Sequence, residues 1–405
     1  MRLRLGRDVA GFDRRLWSAV AVVFVAYCGY SAFWPFIALW LTGPLDASPR
    51  DAGIVIMLGA AVGMAASLFG GSLSDRIGRR PVLVAALGLA AARMVALTQA
   101  DSLLVAASLL VAGDVLVGSS QPAMGALVAD LVPDELLGDA YALQRMATNA
   151  AWVIGPVIGG LAAQRSYDAL FLGAAAMLAL AFVLAFVLLR GHAQPRSSEQ
   201  RATPRIALRD RRLVAFLGAA LLAMVLFGWF QSVVPVYLRD EGLGIGTWGL
   251  LLGFGAALVV VLQIPVARWG SRRRPAIALG LGSLALGAGV ALFATSTATP
   301  MLLASTALVV LGEMLLFPLG SAVVTRMAPV GLSGTYQGAW GTTVMLVFGL
   351  GPVTGLWLYG AGGQAAPFLV APLLGAAGAL AIALSLRGAP GSGAWHPPKA
   401  RARLP

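Results

Sequence analysis

The sequence predicts an all-α integral membrane protein with twelve transmembrane helices, and three features lead to this fold class. Hydrophobic residues make up 59% of the 405 residues and charged residues only 11%, which is too little charge for the surface of a soluble fold. Apolar segments of about 20 residues, long enough to cross a ~30 Å hydrocarbon core as helices, recur twelve times. The period-two alternation that a membrane barrel needs is absent, and only helices then remain as spanning elements.

The twelve apolar segments follow one another with short polar breaks and one long one. The long break, residues 191–212, lies between the sixth and the seventh segment. We therefore predict an N-terminal six-helix bundle at 1–190, a cytoplasmic linker at 191–212, a C-terminal six-helix bundle at 213–387 and a basic cytoplasmic tail at 388–405. In order, the predicted spans are 16–41, 53–74, 81–99, 102–128, 140–163, 168–190, 213–238, 247–267, 275–296, 300–326, 335–360 and 366–387.

The chain has 29 basic residues and a net charge of +12, and the basic residues are concentrated on one predicted side of the membrane. If the N-terminus is inside, the outer loops hold only Arg50, Arg165 and Arg239, which is the positive-inside pattern. We therefore expect a multi-pass protein of the cell membrane with both termini cytoplasmic, and no binding to nucleic acid. The inner segments hold Arg2, Arg4, Arg7, Arg14, Arg15, Arg76, Arg79, Arg80, the basic residues of 190–212, Arg268, Arg272, Arg273, Arg274, Arg387, Lys399, Arg401 and Arg403.

Cysteine, histidine and nucleotide-binding patterns give no sign of catalysis. Cys28 is the single cysteine, so no intrachain disulfide can form. The basic N-terminus resembles the start of a signal peptide, but the following apolar run is too long and lacks a cleavage site, so we expect a retained helix. His192 and His396 lie in the linker and the tail without metal-ligand spacing, and no P-loop occurs. We expect no metal, no cofactor and no enzymatic activity; a membrane-embedded enzyme or receptor is the alternative of another class.

The two halves of the chain repeat each other. At a shift of 196 residues, PAMGALVADLVPDELLG (122–138) lies over PLGSAVVTRMAPVGLSG (318–334), and Gly155-Pro156 lies over Gly351-Pro352 without a gap. Slightly different shifts align Pro35 with Pro235 and Arg80-Pro81 with Arg274-Pro275. Six spans return the chain to its starting side, so the repeat is parallel. Such repeats occur in secondary transporters, which bind substrate near the bilayer midplane between the halves.

Two motifs resemble those of the major facilitator superfamily. The stretch GGSLSDRIGRRPVL, residues 70–83, is similar to its signature of Gly, Leu and Asp-Arg-x-Gly-Arg-basic. AWVIGPVIGG, residues 151–160, resembles the G-x-x-x-G-P-x-x-G-G motif of the drug:proton antiporter branch, with Ala151 in place of the first glycine. The resemblance implies two six-helix bundles and alternating access. The matching residues are Gly71, Leu73, Asp75, Arg76, Gly78, Arg79 and Arg80 in the first motif, and Gly155, Pro156, Gly159 and Gly160 in the second.

The charged loop of the first motif suggests a gate. Asp75, Arg79 and Asp130 end or begin helices on the same side, so a three-member network is sterically plausible. The resemblance implies that this loop meets the positive N-terminal end of the eleventh helix. We hypothesise that the network stabilises the outward-open state; the alternative is that the arginines only hold the loop inside. For the glycine-proline motif, close packing and a gating bend remain equal alternatives.

Two acids lie deep within apolar segments, Asp114 in the fourth and Glu313 in the tenth. A carboxylate at the bilayer centre costs roughly 2.5 to 3.5 kcal/mol on insertion scales, so such groups usually face water or a partner. In the family that the chain resembles both segments line the central cavity, which makes these acids our candidates for proton coupling. Asp114 stands four residues before Gly118, where that family usually has an arginine. The alternative is a structural pair between Asp114 and Arg93 in the third segment.

Aromatic and amide residues in the expected cavity helices suit an amphipathic organic substrate. We predict a monomeric secondary transporter that exchanges protons for a hydrophobic or drug-like small molecule and contacts membrane lipid. The alternative is a proton symporter that imports a nutrient or metabolite. The candidate substrate residues are Tyr27, Tyr30, Trp34, Asn149, Trp152, Trp229, Gln231, Tyr336 and Trp340.

Overall fold

The computed structural model describes residues 13–132, 136–189, 209–329 and 332–387. Every regular element in these ranges is a helix, and twelve spans are long and apolar enough to cross a membrane. The predicted all-α membrane class is confirmed. The ends of the predicted spans lie within four residues of the observed helix ends. The linker up to residue 208 and the tail from residue 388 lie outside the described ranges.

The helices divide into two compact units. Unit 1 comprises the described residues of Met1–Glu199 and Gly242–Gly253, and unit 2 those of Gln200–Glu241 and Phe254–Pro405. The first half of the chain contains α1 (Arg14–Phe33), α2 (Ile37–Thr42), α3 (Pro49–Ile77), α4 (Arg79–Leu97), α5 (Leu103–Asp130), α6 (Leu137–Ala163) and α7 (Tyr167–Leu188). The second half contains α8 (Arg211–Asp240), α9 (Ile245–Ser271), α10 (Pro275–Leu292), α11 (Thr299–Met327), α12 (Ser333–Gly362) and α13 (Ala366–Ser385).

Short polar side chains start several of these helices. The oxygens of Ser48, Ser102 and Ser166 accept hydrogen bonds from the backbone N–H three residues later. Asp210 accepts from the N–H groups of Arg212 and Leu213 at 2.9 and 3.3 Å. These caps satisfy N–H groups that have no partner within the helix, so they fix where each span begins.

The first span is interrupted, which the sequence analysis did not predict. A 3₁₀ turn, Trp34–Phe36, separates α1 from α2. Pro35 lacks the N–H that would continue the α-helical ladder, which permits the break but does not by itself require it. The carbonyl oxygen of Pro35 accepts a hydrogen bond from Trp248 Nε1 at 3.1 Å. Its repeat partner Pro235 lies inside the continuous helix α8.

Four helix pairs pack in the same way in both halves. In unit 1, α1 packs against α6 and α7, and α4 packs against α5 and α7. In unit 2, α8 packs against α12 and α13, and α10 packs against α11 and α13. These four pairs correspond under the sequence repeat. The close packing of α3 against α5 in unit 1 has no counterpart of similar extent between α9 and α11.

Candidate functional site

The charged loop turns sharply at Gly78. This glycine lies between α3 and α4 and has a backbone φ of 98°, a value that residues with a side chain rarely adopt. Its N–H donates to the carbonyl oxygen of Ser74 at 3.0 Å. One residue therefore joins α3 directly to α4, so that Arg79 of α4 can reach Ser74 of α3.

Arg79 joins three helices at this end of unit 1. Its Nε lies 3.4 Å from Asp130 Oδ2 at the end of α5, and one terminal nitrogen donates to Ser74 Oγ at 2.9 Å. The side chains of Arg79 and Asp130 are 9% and 6% exposed, so the ion pair is largely shielded from water. Arg76 is exposed, whereas Gly71 and Asp75 lie outside the residues whose surroundings are described. Two members of the predicted network are therefore in contact.

Arg80 anchors a different helix. A terminal nitrogen donates to the carbonyl oxygen of Phe186 at 2.7 Å, and the guanidinium carbon lies 5.2 Å from the Phe186 ring centroid. The two residues are 106 positions apart, and no sequence pattern connects them. Arg80 thus ties the start of α4 to the end of α7.

The glycines of the second motif bring α6 into backbone contact with α1. A Cβ at Gly155 would overlap Ser31 Oγ, and a Cβ at Gly159 would overlap the carbonyl oxygen of Ala32. Ser31 Oγ also donates to the carbonyl oxygen of Ala151 at 2.8 Å. Small residues are what such close helix pairs require.

The repeat reproduces this contact in unit 2, where a Cβ at Gly351 would meet Gly228 and one at Gly355 would meet Trp229. Gly160 packs against Gly249, and Pro156 lies within the continuous helix α6. The contacts account for the glycines by packing, and a gating bend at Pro156 stays a prediction.

Gly159→Ala is expected to destabilise the protein. The new methyl group meets a backbone carbonyl, which cannot move aside as a side chain can, and overpacking of this kind costs about 1–3 kcal/mol. Thermal unfolding of the purified variant measures the loss. The matched control is Gly173→Ala in α7, where a Cβ would meet nothing within 4 Å. Equal melting temperatures for the two variants would contradict the close contact between α1 and α6.

Asp114 lies against two glycines of α3. A Cβ at Gly59 would overlap Asp114 Oδ2, and one at Gly63 would lie 2.9 Å from the Asp114 carbonyl oxygen. The Asp114 carboxylate forms no hydrogen bond or ion pair with any residue in the described ranges. A carboxylate in this position depends on water, protonation or a longer-range charge for its stability.

Arg93 supplies such a charge. It is 6% exposed, donates to the carbonyl oxygen of Leu110 at 3.3 Å and lies 5.4 Å over the Phe33 ring. Arg93, Asp114 and Tyr30 interact electrostatically without forming a direct ion pair. Within the described part of the chain, Arg93 Nε, a second Arg93 nitrogen and the Tyr30 hydroxyl are buried without a hydrogen-bond partner. We call Arg93, Asp114 and Tyr30 the unit 1 polar cluster.

Two further polar residues lie near this part of α1. The Tyr27 and Tyr30 rings meet edge to face with centroids 6.3 Å apart. Gln121 of α5 donates to the Tyr27 hydroxyl. Gln121 was missed by the sequence analysis, although an amide in an apolar segment is itself a signal of a buried polar contact.

Glu313 in α11 is half-buried and forms no hydrogen bond or ion pair with the described residues. The preceding residue, Gly312, packs closely against the Gly282 carbonyl oxygen of α10. In the described ranges no three His, Cys, Asp or Glu side chains lie close enough to hold a metal ion.

The aromatic candidates of α12 are packed inside unit 2. Tyr336 and Trp340 are 3% and 4% exposed. Trp340 stacks on Phe216 with ring centroids 6.3 Å apart, and the Tyr336 hydroxyl donates to Asp210 Oδ2 at 2.7 Å. Tyr336 and Trp340 therefore connect α12 to α8 and its N-cap. Of the other candidates, Asn149 is exposed, Trp34 and Trp152 are half-buried, and Gln231 Oε1 is buried without a hydrogen-bond partner in the described ranges.

An apolar groove of about 630 Å³ lies among α8, α12 and α13 of unit 2. Trp229 is the one predicted substrate residue on its wall, and its indole Nε1 donates to Thr354 Oγ1 at 3.0 Å. Neither Asp114 nor Glu313 lines this groove. The lining residues are Gly218, Leu221, Leu222, Val225, Trp229, Leu350, Val353, Thr354, Trp357, Leu358, Val370 and Leu374.

The contact between Asp210 and Tyr336 predicts a pH-dependent stability. Burial raises the pKa of Asp210, but hydrogen bonds from Tyr336 and the cap N–H groups outweigh it and hold the pKa below its ordinary value. A lowered pKa stabilises the fold above the unfolded value of about 4, and that stability is lost as pH falls through the folded pKa.

Tyr336→Phe should therefore cost about 1 kcal/mol at neutral pH, which is less than the roughly 1.5–3 kcal/mol of a bond to a charged group because Asp210 is partly exposed. The difference from wild type should shrink below about pH 4. Melting temperatures measured from pH 3 to 7 check this, with Asp210→Asn as the partner variant. A difference that does not change with pH would show that the hydroxyl acts independently of the carboxylate charge.

Comparison with known proteins places the chain in one family. The model of the Major Facilitator Superfamily matches residues 19–299 and 245–405. A Bacillus subtilis protein described as an uncharacterized MFS-type transporter, YqjV, is 28% identical over 335 residues, covering 80% of each chain. Multidrug resistance protein MdtH of Edwardsiella ictaluri is 27% identical over 368 residues, covering 88% of this chain and 89% of that protein.

A class E tetracycline resistance protein of Escherichia coli is 27% identical over 364 residues, covering 86% of this chain and 89% of that protein. The fold is also similar to the crystal structure of the nucleoside transporter NupG, with a TM-score of 0.74 and 12% identity over 93% of this chain and all of that one. With its twelve candidate spans and a family match over most of its length, the chain is a multi-pass membrane transporter that belongs to the Major Facilitator Superfamily.

Proposed function

We propose that the protein is a proton-coupled exporter of hydrophobic or drug-like small molecules that works by alternating access. The observation that carries this proposal is the position of Asp114. Its carboxylate lies in a transmembrane helix, against Gly59 and near Arg93, without a direct ion pair among the described residues. An ionisable group placed in this way within the membrane marks a functional site by default.

The unit 1 polar cluster provides a physical route from proton binding to conformation. With Asp114 ionised, its charge balances the charge of Arg93; with Asp114 protonated, Arg93 is left uncompensated in an apolar environment. Protonation therefore changes the net charge of the cluster by one. Two conformations that hydrate the cluster differently respond to this change in opposite directions, which shifts their populations.

Glu313 provides a second candidate carboxyl group in unit 2. It also lies in a membrane-spanning helix without an ion pair in the described ranges. Each half of the repeat therefore contributes one acid, and the proposal assigns the coupling proton to Asp114 or Glu313.

The substrate class rests on two supports. Relatives named for multidrug and tetracycline resistance cover 86–88% of the chain at 27% identity. The groove of unit 2 offers apolar area with Trp229 and Thr354 in its wall, which suits an apolar ring system.

Transport by reconstituted full-length protein tests the proposal. Proteoliposomes with an acidic interior and an alkaline exterior hold radiolabelled tetracycline or ethidium at equal concentrations on both sides. An antiporter releases protons outward and accumulates the compound inside, and a protonophore abolishes the accumulation. If the compound is depleted from the interior as protons leave, the protein is a symporter and the proposed direction is wrong.

A further inference from the structure

The cytoplasmic end predicted for α9 carries concentrated positive charge without any acid. Residues 242–312 contain no Asp or Glu. None of the arginines at this end forms an ion pair with a residue in the described ranges. Among the described residues, four guanidinium groups are therefore without a counter-charge: Arg268, Arg272, Arg273 and Arg274.

The first half of the chain solves the same problem differently. There Arg79 pairs with Asp130 at the end of α5. The shift of 196 residues that relates the halves carries position 130 to 326, because 130 + 196 = 326, and position 326 is an arginine. Where unit 1 has this carboxylate, unit 2 has a cation, so the loop after α9 has no acid at the corresponding position.

The side chains at the end of α9 form a cleft that an anion could enter. A cavity of about 380 Å³ is lined by Pro265, Arg268, Trp269, Arg272 and Arg273. The Arg273 guanidinium lies 5.5 Å over the Trp269 ring, which fixes its orientation. The arginines are exposed and can offer paired N–H donors to phosphate oxygens. We call these five residues the basic cleft.

An exposed apolar stripe leads along α9 into the basic cleft. Val260, Val261 and Ile264 are 69%, 67% and 61% exposed. Arg268 follows Ile264 by about one helical turn and Trp269 follows Val261 by about two, so both continue the same helix face. Only 11% of the most apolar stretch of this span is buried, the lowest share among the twelve candidate spans. A ligand with an anionic head and a long apolar tail matches both parts of this surface.

We propose that the basic cleft binds the phosphodiester headgroup of an anionic phospholipid of the cytoplasmic leaflet, with an acyl chain along Val260, Val261 and Ile264. Basic pockets at the cytoplasmic ends of transmembrane helices are suited to such headgroups, and tryptophan favours the same interfacial depth. A free phosphate would satisfy the arginines but leave the apolar stripe unused. The apolar stripe therefore selects the lipid over the soluble anion.

Thermal unfolding of the detergent-purified full-length protein tests this site. Dioleoyl phosphatidylglycerol should raise the melting temperature by roughly 2–4 °C more than dioleoyl phosphatidylcholine does, since a ligand of the folded state stabilises it. Glycerol 3-phosphate and inorganic phosphate at the same concentration should not reproduce the shift. Arg268→Gln/Arg272→Gln should lose it, whereas Arg50→Gln/Arg165→Gln, with the same charge change on exposed residues predicted to lie outside, should keep it.

A second measurement reads the site in folded protein at one temperature. Phosphatidylglycerol brominated on its acyl chains should quench the tryptophan fluorescence of the wild type more than that of Trp269→Phe. Brominated phosphatidylcholine should quench the two proteins equally. An equal loss of the shift in both arginine pairs would overturn the proposal in favour of general charge attraction. A full shift with glycerol 3-phosphate would overturn it in favour of a soluble anion, and quenching that does not depend on headgroup would exclude a headgroup site.

Discussion

Asp114→Asn is expected to reduce pH-gradient-driven accumulation of substrate in proteoliposomes to the level of protein-free liposomes, while exchange of substrate at equal pH continues. The amide cannot take up or release the coupling proton, but it keeps the size of the side chain against Gly59. Alternating access itself does not need the proton when both sides hold substrate. The pair of measurements therefore separates loss of coupling from loss of transport.

Control variants make this test specific. Asp101→Asn and Glu241→Gln change exposed acids and should leave accumulation unchanged, whereas Glu313→Gln is the matched test for unit 2. Intact accumulation in both Asp114→Asn and Glu313→Gln would refute the assignment of the proton. If Asp114→Asn instead lowers the melting temperature and abolishes exchange, Asp114 serves mainly to stabilise Arg93.

Asp130→Asn is expected to destabilise the protein by about 1.5–3 kcal/mol, because it removes the charge from a hydrogen-bonded pair that is largely shielded from water. Arg79 would keep its hydrogen bond to Ser74 but lose the carboxylate 3.4 Å away, in a site where both side chains are under 10% exposed. Unfolding of the purified protein in detergent measures the change.

Two further variants show whether the stability lost in Asp130→Asn comes from the ion pair. Asp168→Asn removes an exposed acid from the first turn of α7 and should shift stability by less than about 0.5 kcal/mol. Arg79→Gln/Asp130→Asn removes both charges and should recover part of the loss. If Asp130→Asn behaves like Asp168→Asn, the ion pair does not stabilise the folded protein. The gate hypothesis adds that Asp130→Asn should speed the labelling of cysteines introduced into the cytoplasmic ends of the spans.

The sequence predicts the spans closely because the membrane allows few alternatives. A helix is the only way to satisfy the backbone of an isolated segment in lipid, and its length is set by the hydrocarbon thickness. The predicted ends consequently fall within four residues of the helix ends. The interruption at Pro35 was not predicted, because a proline alone does not determine whether a helix is interrupted: Pro235, at the corresponding position, lies inside a continuous helix.

The repeat also predicted real packing. Gly155 and Gly351, aligned by the shift of 196 residues, each contact the first helix of their own half. A glycine shared by two halves has to satisfy the same contact twice. Its position is therefore informative even in a single sequence.

Side-chain partners between distant helices could not be predicted. Tyr336 and Asp210 are 126 residues apart, and Trp229 and Thr354 are 125 apart. Residue type alone does not say which face of a helix a neighbour covers. Tyr336 and Trp340 were predicted as substrate residues from their aromatic character, yet their visible contacts pack α12 within unit 2.

The claim that proton and substrate move in opposite directions is tested most directly by letting substrate drive protons. Proteoliposomes with a trapped pH dye and no initial pH gradient are loaded with tetracycline and diluted into substrate-free buffer. As tetracycline leaves, an antiporter should acidify the interior, and Asp114→Asn or Glu313→Gln should abolish the signal. Alkalinisation of the interior, or substrate efflux without any pH change, would contradict proton-coupled export.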